Sequence, residues 1–284
     1  MGKIGVIGGS GVYDIEGLDG RKSHKISTPF GETSEALISG RMEGREVVFL
    51  ARHGRGHKIL PGEINCRANI FAMKKIGVDR IISIGAVGSL KEELRPTDMV
   101  IPDQFVDRTN QARPATFFGD GIVAHVSLAD PVCAELSEIL YGAAKKSGIT
   151  AHKGGTYINM EGPAFSTRAE SALYRKWGMD VIGMTNMSEA RLAREAEICF
   201  ASVAMVTDYD CWRESEDVSV EMIVENLSKN SANAKNMLRR AVAAMPEERK
   251  CPCGSSLKYA IITSKDAIPE RIKKKLDIII GKYL

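Results

Sequence analysis

Short aliphatic runs that are apolar at consecutive positions recur along this chain, with helical patterns between them. Lys3–Ile7, Val47–Ala51, Arg80–Ile84, Met99–Ile101, Asp180–Met184 and Cys199–Thr207 read as strands. A strand apolar on both faces must be covered on both faces, and helices do this in α/β proteins. The expected fold class is therefore α/β, a single domain over 1–284 with a central mixed, largely parallel sheet flanked by helices. Helix signals fall between the strands. Asp130-Pro131 offers an N-cap and a first-turn proline, with Gly148 at the far end. Thr167 with Glu170 and Asn186 with Glu189 have capping-box spacing. Ser219 is placed to cap a long helix ending near Ala244. Glu247–Ser256 reads as a loose connection, opening a less regular C-terminal extension from about 247 with a last helix near Pro269–Leu284.

The 39 Lys and Arg against 36 Asp and Glu leave a net charge of +3, and no basic stretch is interleaved with aromatics, so nucleic acid is not an expected partner. Lys273-Lys274-Lys275 reads as a solvated helix face. No apolar run approaches the roughly 20 residues of a membrane span. The N-terminus enters a strand at once, so a cytoplasmic protein is expected. Of the six cysteines, Cys66, Cys133, Cys199 and Cys211 are scattered in apolar surroundings and read as buried reduced thiols. Cys251-Pro-Cys253 is open to the same reading or to a redox or disulfide role. It lacks a second pair at zinc-ribbon spacing, and His53 with His57 lacks a third ligand, so no metal is expected.

Three strand ends carry groups suited to an anion. Gly8-Gly9-Ser10-Gly11 exposes backbone N–H groups and a hydroxyl after the first strand. It is no dinucleotide fingerprint, because Asp14 stands where a third glycine belongs, and no P-loop, because no Gly-Lys-Ser/Thr follows. A tight turn would explain the glycines equally well. Arg52-His53 ends the second run, and a guanidinium fork matches phosphate oxygens, although a surface arginine beside a turn fits the pair alone. Ser83-Ile84-Gly85-Ala86-Val87-Gly88 is another strand-to-glycine turn. Ligands of open α/β sheets sit at the carboxyl ends of strands, so the three together favour phosphate.

A second group of residues suits a nucleoside. Phe165 could stack on a base and Ser166 could bond it or cap a helix, with a core Phe and a capping Ser as the plain alternative. Met184 and Thr185 end another strand, suited to a sugar face and to hydroxyls or phosphate. Thr207-Asp208-Tyr209-Asp210 places two carboxylates directly after an apolar run, which is costly without partners or work. Adjacent like charges in an apolar setting raise a carboxyl pKa, and a protonated carboxyl can donate to a purine N7. Loop or capping carboxylates remain the alternative.

These segments lie in one order that resembles the methylthioadenosine phosphorylase branch of the trimeric purine nucleoside phosphorylases. The likeness runs from Lys3 to about Asn236. It includes Ile7-Gly-Gly-Ser-Gly11, Thr28-Pro-Phe-Gly31, Leu50-Ala-Arg-His-Gly54, Asn69-Ile-Phe-Ala72, Asp103-Gln-Phe-Val-Asp-Arg-Thr109, Glu161-Gly-Pro163, Arg168-Ala-Glu170, Met184-Thr185 and Thr207-Asp-Tyr-Asp-Cys-Trp212. The resemblance implies a nucleoside phosphorylase fold and phosphorolysis of 5′-methylthioadenosine to adenine and 5-methylthioribose 1-phosphate. Inorganic phosphate would be co-substrate, with no cofactor. It implies phosphate contacts from Ser10, Arg52, His53 and Thr185, with Gly85 and Ala86 beside them. Ala86 and Met184 would flank the ribose; Phe165, Ser166, Asp208 and Asp210 would hold adenine, the two aspartates catalytically. Val220, Ile223 and Val224 would line the methylthio pocket. His125 would close it from a neighbouring subunit, in a homotrimer or a dimer of trimers.

The chain departs from the family pattern at Gly85, where Thr is frequent, and at Ala164, where Arg is usual. Its tail past Asn236 matches weakly, leaving the C-terminal cover of the methylthio group to one of Tyr259–Ile262. The rivals are a related phosphorylase using methylthioinosine or adenosine, a hydrolytic nucleosidase, and a catalytically silent nucleoside-binding homologue.

Overall fold

The computed structural model describes residues 2–12, 17–110, 113–213 and 220–284, with the side chains of 220–222 left undescribed. Among the described residues, eleven strands form one mixed sheet. Its centre is β5 (Val78–Ser89), flanked in parallel by β1 (Lys3–Gly8) and β11 (Cys199–Asp208). Beyond β1 lies β4 (Arg45–Ala51), also parallel, then the antiparallel β3 (Leu37–Met42) and β2 (Asp19–His24). The distal half of β5 meets β10 (Val181–Gly183) antiparallel, and β10 continues in parallel to β9 (Thr156–Met160) and β7 (Gln104–Arg108). β6 (Met99–Ile101) joins β11 to β8 (Ala151–Lys153). Six of the ten pairings are parallel, which matches the expected fold class.

The six expected strands all form. The five missed ones, β2, β3, β7, β8 and β9, are short, polar or half-exposed, so they lack the continuous apolar signal that marks a buried strand. In β11 all ten residues are buried, because helices cover it on both sides. One side carries α2 (Ala134–Lys146) and α5 (Val220–Ala244); the other carries α1 (Cys66–Lys75), α4 (Asn186–Glu195) and α6 (Glu270–Ile280). A further helix, α3 (Arg168–Lys176), opens with the capping box expected of Thr167 and Glu170. No helix among the described residues is long and apolar enough to cross a membrane.

Three local expectations are corrected. α2 starts at Ala134 with Cys133 as its N-cap rather than Asp130, because Val132 and Cys133 are drawn into the core and the Cys133 N–H donates to Phe200 O at 2.7 Å. Asn186 and Glu189 form no capping box; Thr185 is the N-cap, and both side chains turn inward to buried partners. The segment after Glu247 is docked rather than loose: Arg249 bonds the Glu197 and Asp79 carbonyls, and Cys253 is buried. Ser219 lies outside the described residues.

Candidate active site

Parallel strands bring the anion-suited ends together. β1, β4 and β5 are neighbours in register, so Ser10, Arg52, His53, Gly85 and Ala86 converge on one cavity of about 290 Å³. Met184 and Thr185 enter from the end of β10, and Phe165 from the loop before α3. Asp208 and Asp210 enter from the end of β11, where the register shifts between Val206 and Asp208. That irregularity sets Asp208 opposite Gly88, and such bulges re-aim side chains beside sites.

The anion end holds fewer free charges than its residue types suggest. Arg52 is buried and makes a two-armed pair with buried Glu189, at 2.6 Å from Nε and 3.2 Å from Nη2. Nη2 also donates to Ser83 Oγ at 2.6 Å and Nη1 to Ile84 O at 3.2 Å. A guanidinium has five N–H donors, so one Nη1 hydrogen is left for a ligand. Desolvation works against the charged guanidinium, but Glu189 outweighs it and the Arg52 pKa stays raised. Gly9 gives Nη1 its room. A β-carbon at Gly9 would lie 2.3 Å from it, whereas one at Gly85 would meet it at 3.4 Å, in ordinary contact.

His53 is buried and its Nδ1 lies 2.8 Å from Ile59 O, a pairing that requires Nδ1–H as donor and leaves Nε2 bare in the neutral ring. Burial, helped by the Arg52 charge, pushes its pKa down to about 4. His57, a residue sequence reading set aside, stacks on it at 4.3 Å. Thr185 closes this end as the N-cap of α4, with no capping bond spent by its hydroxyl. A helix N-terminus favours an anion through its unpaired N–H groups and dipole.

At the other end Asp208 accepts the Asp210 N–H at 2.8 Å and the Thr207 hydroxyl at 2.7 Å. Both aspartates are buried. Burial raises the Asp208 pKa, the two hydrogen bonds oppose it, and the Asp210 charge adds to it. Burial also raises Asp210, with the Ser171 and Ser166 hydroxyls working the other way. Ile223 and Leu227 of α5 supply an apolar wall, Leu227 being one the sequence reading missed although it lies one helical turn beyond Ile223.

Other sequence expectations fall elsewhere. Ser166 is buried and does not line the cavity; it lies against Met160 Sδ at 3.8 Å and bonds towards Asp210. Val224 is 57% exposed and outside the cavity. The Val220 side chain is outside what is described. His125 does not reach this chain's own cavity. Its backbone N–H donates to Ala260 O at 2.8 Å, in a ribbon where Ala124 bridges Ile261 and the Ile262 N–H donates to Val123 O. The two elements expected to cover the methylthio group, His125 and Tyr259–Ile262, thus sit side by side. Val123, Tyr259 and Ile262 there are exposed hydrophobics.

Residues 3–243 match the phosphorylase superfamily. The chain is 60% identical to an S-methyl-5′-thioadenosine phosphorylase of Geobacter sulfurreducens over 99% of both chains. It is 59% identical to the enzyme of the same name from Koribacter versatilis, over 99% of this chain and 96% of that one. Its fold matches the crystal structure of a methylthioadenosine phosphorylase from an Antarctic soil metagenomic library, with a TM-score of 0.93 and 48% identity over 98% of each. It also matches the Schistosoma mansoni methylthioadenosine phosphorylase in complex with adenine, with a TM-score of 0.87, 35% identity, and 94% and 100% coverage.

Proposed function

The chain belongs to the phosphorylase superfamily, and we propose that it cleaves 5′-methylthioadenosine with inorganic phosphate to adenine and 5-methylthioribose 1-phosphate. One observation carries this reading: a single cavity joins an anion end at Ser10, Arg52 and Thr185 to a paired-carboxyl end at Asp208 and Asp210, with an apolar wall of Ile223 and Leu227. A nucleoside lying across it puts its base at the carboxyls, its ribose over Ala86 and Met184, and phosphate beneath C1′.

In the reaction the C1′–N9 bond stretches first and its electron pair moves onto the base. Asp208, kept protonated more readily by burial, donates its proton at N7, so the leaving base departs neutral. A phosphate oxygen then forms the new bond to C1′. Ser10, the remaining Nη1 donor of Arg52 and the α4 N-terminus hold that phosphate in place, which removes most of the entropic cost of bringing the two reactants together. An anion beside His53 raises the ring's low pKa, so phosphate binding and protonation of His53 favour one another. Asp210 and Phe165 orient the base, and Ser166 supports Asp210.

Among the described residues, neither His125 nor Tyr259–Ile262 lines the cavity of the isolated chain. The His125 ribbon, with its exposed Val123, Tyr259 and Ile262, supports a homotrimer in which each ribbon covers a neighbour's methylthio pocket. We place the enzyme in the cytoplasm as one catalytic domain whose segment from about 247 completes the core.

The test is adenine release from methylthioadenosine and adenosine, and base release from methylthioinosine, each with and without phosphate. Strict phosphate dependence with preference for methylthioadenosine is expected. Turnover without phosphate would make it a hydrolase, and inactivity on all three would make it a silent homologue.

A further inference from the structure

Four of the six cysteines, two of them expected as scattered buried thiols and two as a Cys-Pro-Cys pair open to a redox or disulfide role, come together at the end of β11 remote from the cavity. Cys133 is the N-cap of α2, Cys199 opens β11, Cys251 precedes the turn Pro252–Ser255, and Cys253 lies within it. Their four sulfurs lie within 4.8 Å of one another, and three of the residues are buried. No two are bridged; the Cys199 and Cys251 sulfurs are 3.2 Å apart. A disulfide needs about 2.05 Å. A tetrahedral ion with metal–sulfur bonds of about 2.3 Å needs sulfurs roughly 3.8 Å apart, inside the observed spread.

From this geometry we propose that Cys133, Cys199, Cys251 and Cys253 form a structural site for one tetrahedral thiophilic divalent cation, Zn²⁺ by donor type. Four soft sulfur donors with no open carboxylate or imidazole select such an ion and leave no position for substrate. Binding releases one proton from each ligating thiol and forms one metal–sulfur bond in its place, with no redox change. The resulting anion has counter-charges ready: the Arg249 guanidinium is 3.9 Å from the Cys199 sulfur, and Cys133 sits at the positive end of α2. The turn is pre-positioned, since the backbone N–H groups of Lys250 and Cys251 both donate to Glu135 Oε2 at 3.1 Å. A surface cavity of about 620 Å³ touches Cys133, Cys251 and Cys253 and gives an ion its way in.

The site is structural rather than catalytic. β11 runs from Cys199 to Asp208, and the nine steps between them at about 3.3 Å each separate the two by roughly 30 Å. The ion would tie the C-terminal segment to α2 and to the central sheet. This holds whichever nucleoside the enzyme uses.

The experiment is metal analysis of the full-length protein purified without chelator, then reconstituted with equimolar Zn²⁺ and, separately, Co²⁺. One zinc per chain is expected, together with the visible absorption of tetrahedral cobalt thiolate. Both should be lost in C251S/C253S. Chelation should lower the unfolding temperature of the parent chain and leave kcat and KM at room temperature unchanged. Six freely titrating thiols with no metal taken up would overturn the proposal. So would thiols missing in pairs without metal, which would mean disulfides, or zinc retained by C251S/C253S, which would put the ion elsewhere. The cobalt spectrum of the parent chain keeps the proposal open to refutation even if the variant fails to fold.

Discussion

Asp208 and Asp210 are buried together at a strand end, and their pKa values are pushed the same way by the same cause. An Asn at 208 keeps the size and can donate a hydrogen bond, but it cannot give up a proton to N7. Asp208→Asn is expected to cut kcat/KM for methylthioadenosine at least tenfold, about 1.4 kcal/mol of transition-state stabilisation. Near-normal steady-state kinetics would remove Asp208 from the chemistry. Because the carboxyl works protonated, kcat should fall as pH rises through its raised pKa. His53 titrates in the opposite sense for stability. Its pKa is lowered from 6.5 to about 4 on folding, so the unfolded chain takes up the proton first. Stability is complete above 6.5 and falls as pH drops towards 4. In phosphate-free buffer the unfolding temperature of the parent should decline over that window, and His53→Gln should flatten part of the decline; parallel curves would contradict the burial argument. At Gly85 the backbone is not in the left-handed region, and the nearest contact for a β-carbon is ordinary. Gly85→Thr is therefore expected to fold and to lower the phosphate KM several-fold, since a hydrogen bond to a charged group contributes about 1.5–3 kcal/mol. Gly85→Ala is the control, and equal phosphate KM values for the two variants would dispose of the missing-hydroxyl idea.

At the scale of elements, α4 does more than end at the cavity. Its Glu189 pairs with Arg52 beyond β4 and accepts from Ser83 of β5, while Asn186 donates to Ser83 and to Ser202 of β11. One helical turn thereby ties the end of β4 to the middle of β5 and β11, and every group in the network is buried. Breaking such a pair leaves an uncompensated buried charge, at a cost of about 3–5 kcal/mol. Glu189→Gln should lower unfolding stability by that order in a denaturant titration and raise the phosphate KM as Arg52 loses its orientation. A change below about 1 kcal/mol would mean the pair is better solvated than its burial indicates.

For the whole molecule, the separation between the His125 ribbon and the chain's own cavity sets the expectation. Tyr259 is 85% exposed and Ile262 64% exposed, on a ribbon with nothing of this chain's pocket to cover. Light scattering should find a trimer at assay concentration. The double variant Y259E/I262E should weaken assembly and raise the methylthioadenosine KM while leaving the pocket's own residues intact. A fully active monomer of the parent chain would defeat the shared-site reading.

Local chemistry made much of this protein legible. Continuous apolar runs announced the buried strands, because burial on both faces leaves a one-dimensional trace. The Gly-Gly-Ser turn, Arg52-His53 and Asp208-Tyr-Asp210 announced the cavity, because polar groups directly after such runs stand at strand ends. Tertiary structure alone decided what those groups touch. Glu189 had capping-box spacing and instead became the partner of Arg52, because the helix starts at Asn186 and carries residue 189 inward to the sheet. Four cysteines spread from 133 to 253 became one cluster, and His125 joined Tyr259–Ile262 across more than a hundred residues. The physical reason is the same in each case. Periodicity and caps depend on neighbours within a turn or a strand, whereas a contact between distant segments is set by sheet order and helix packing.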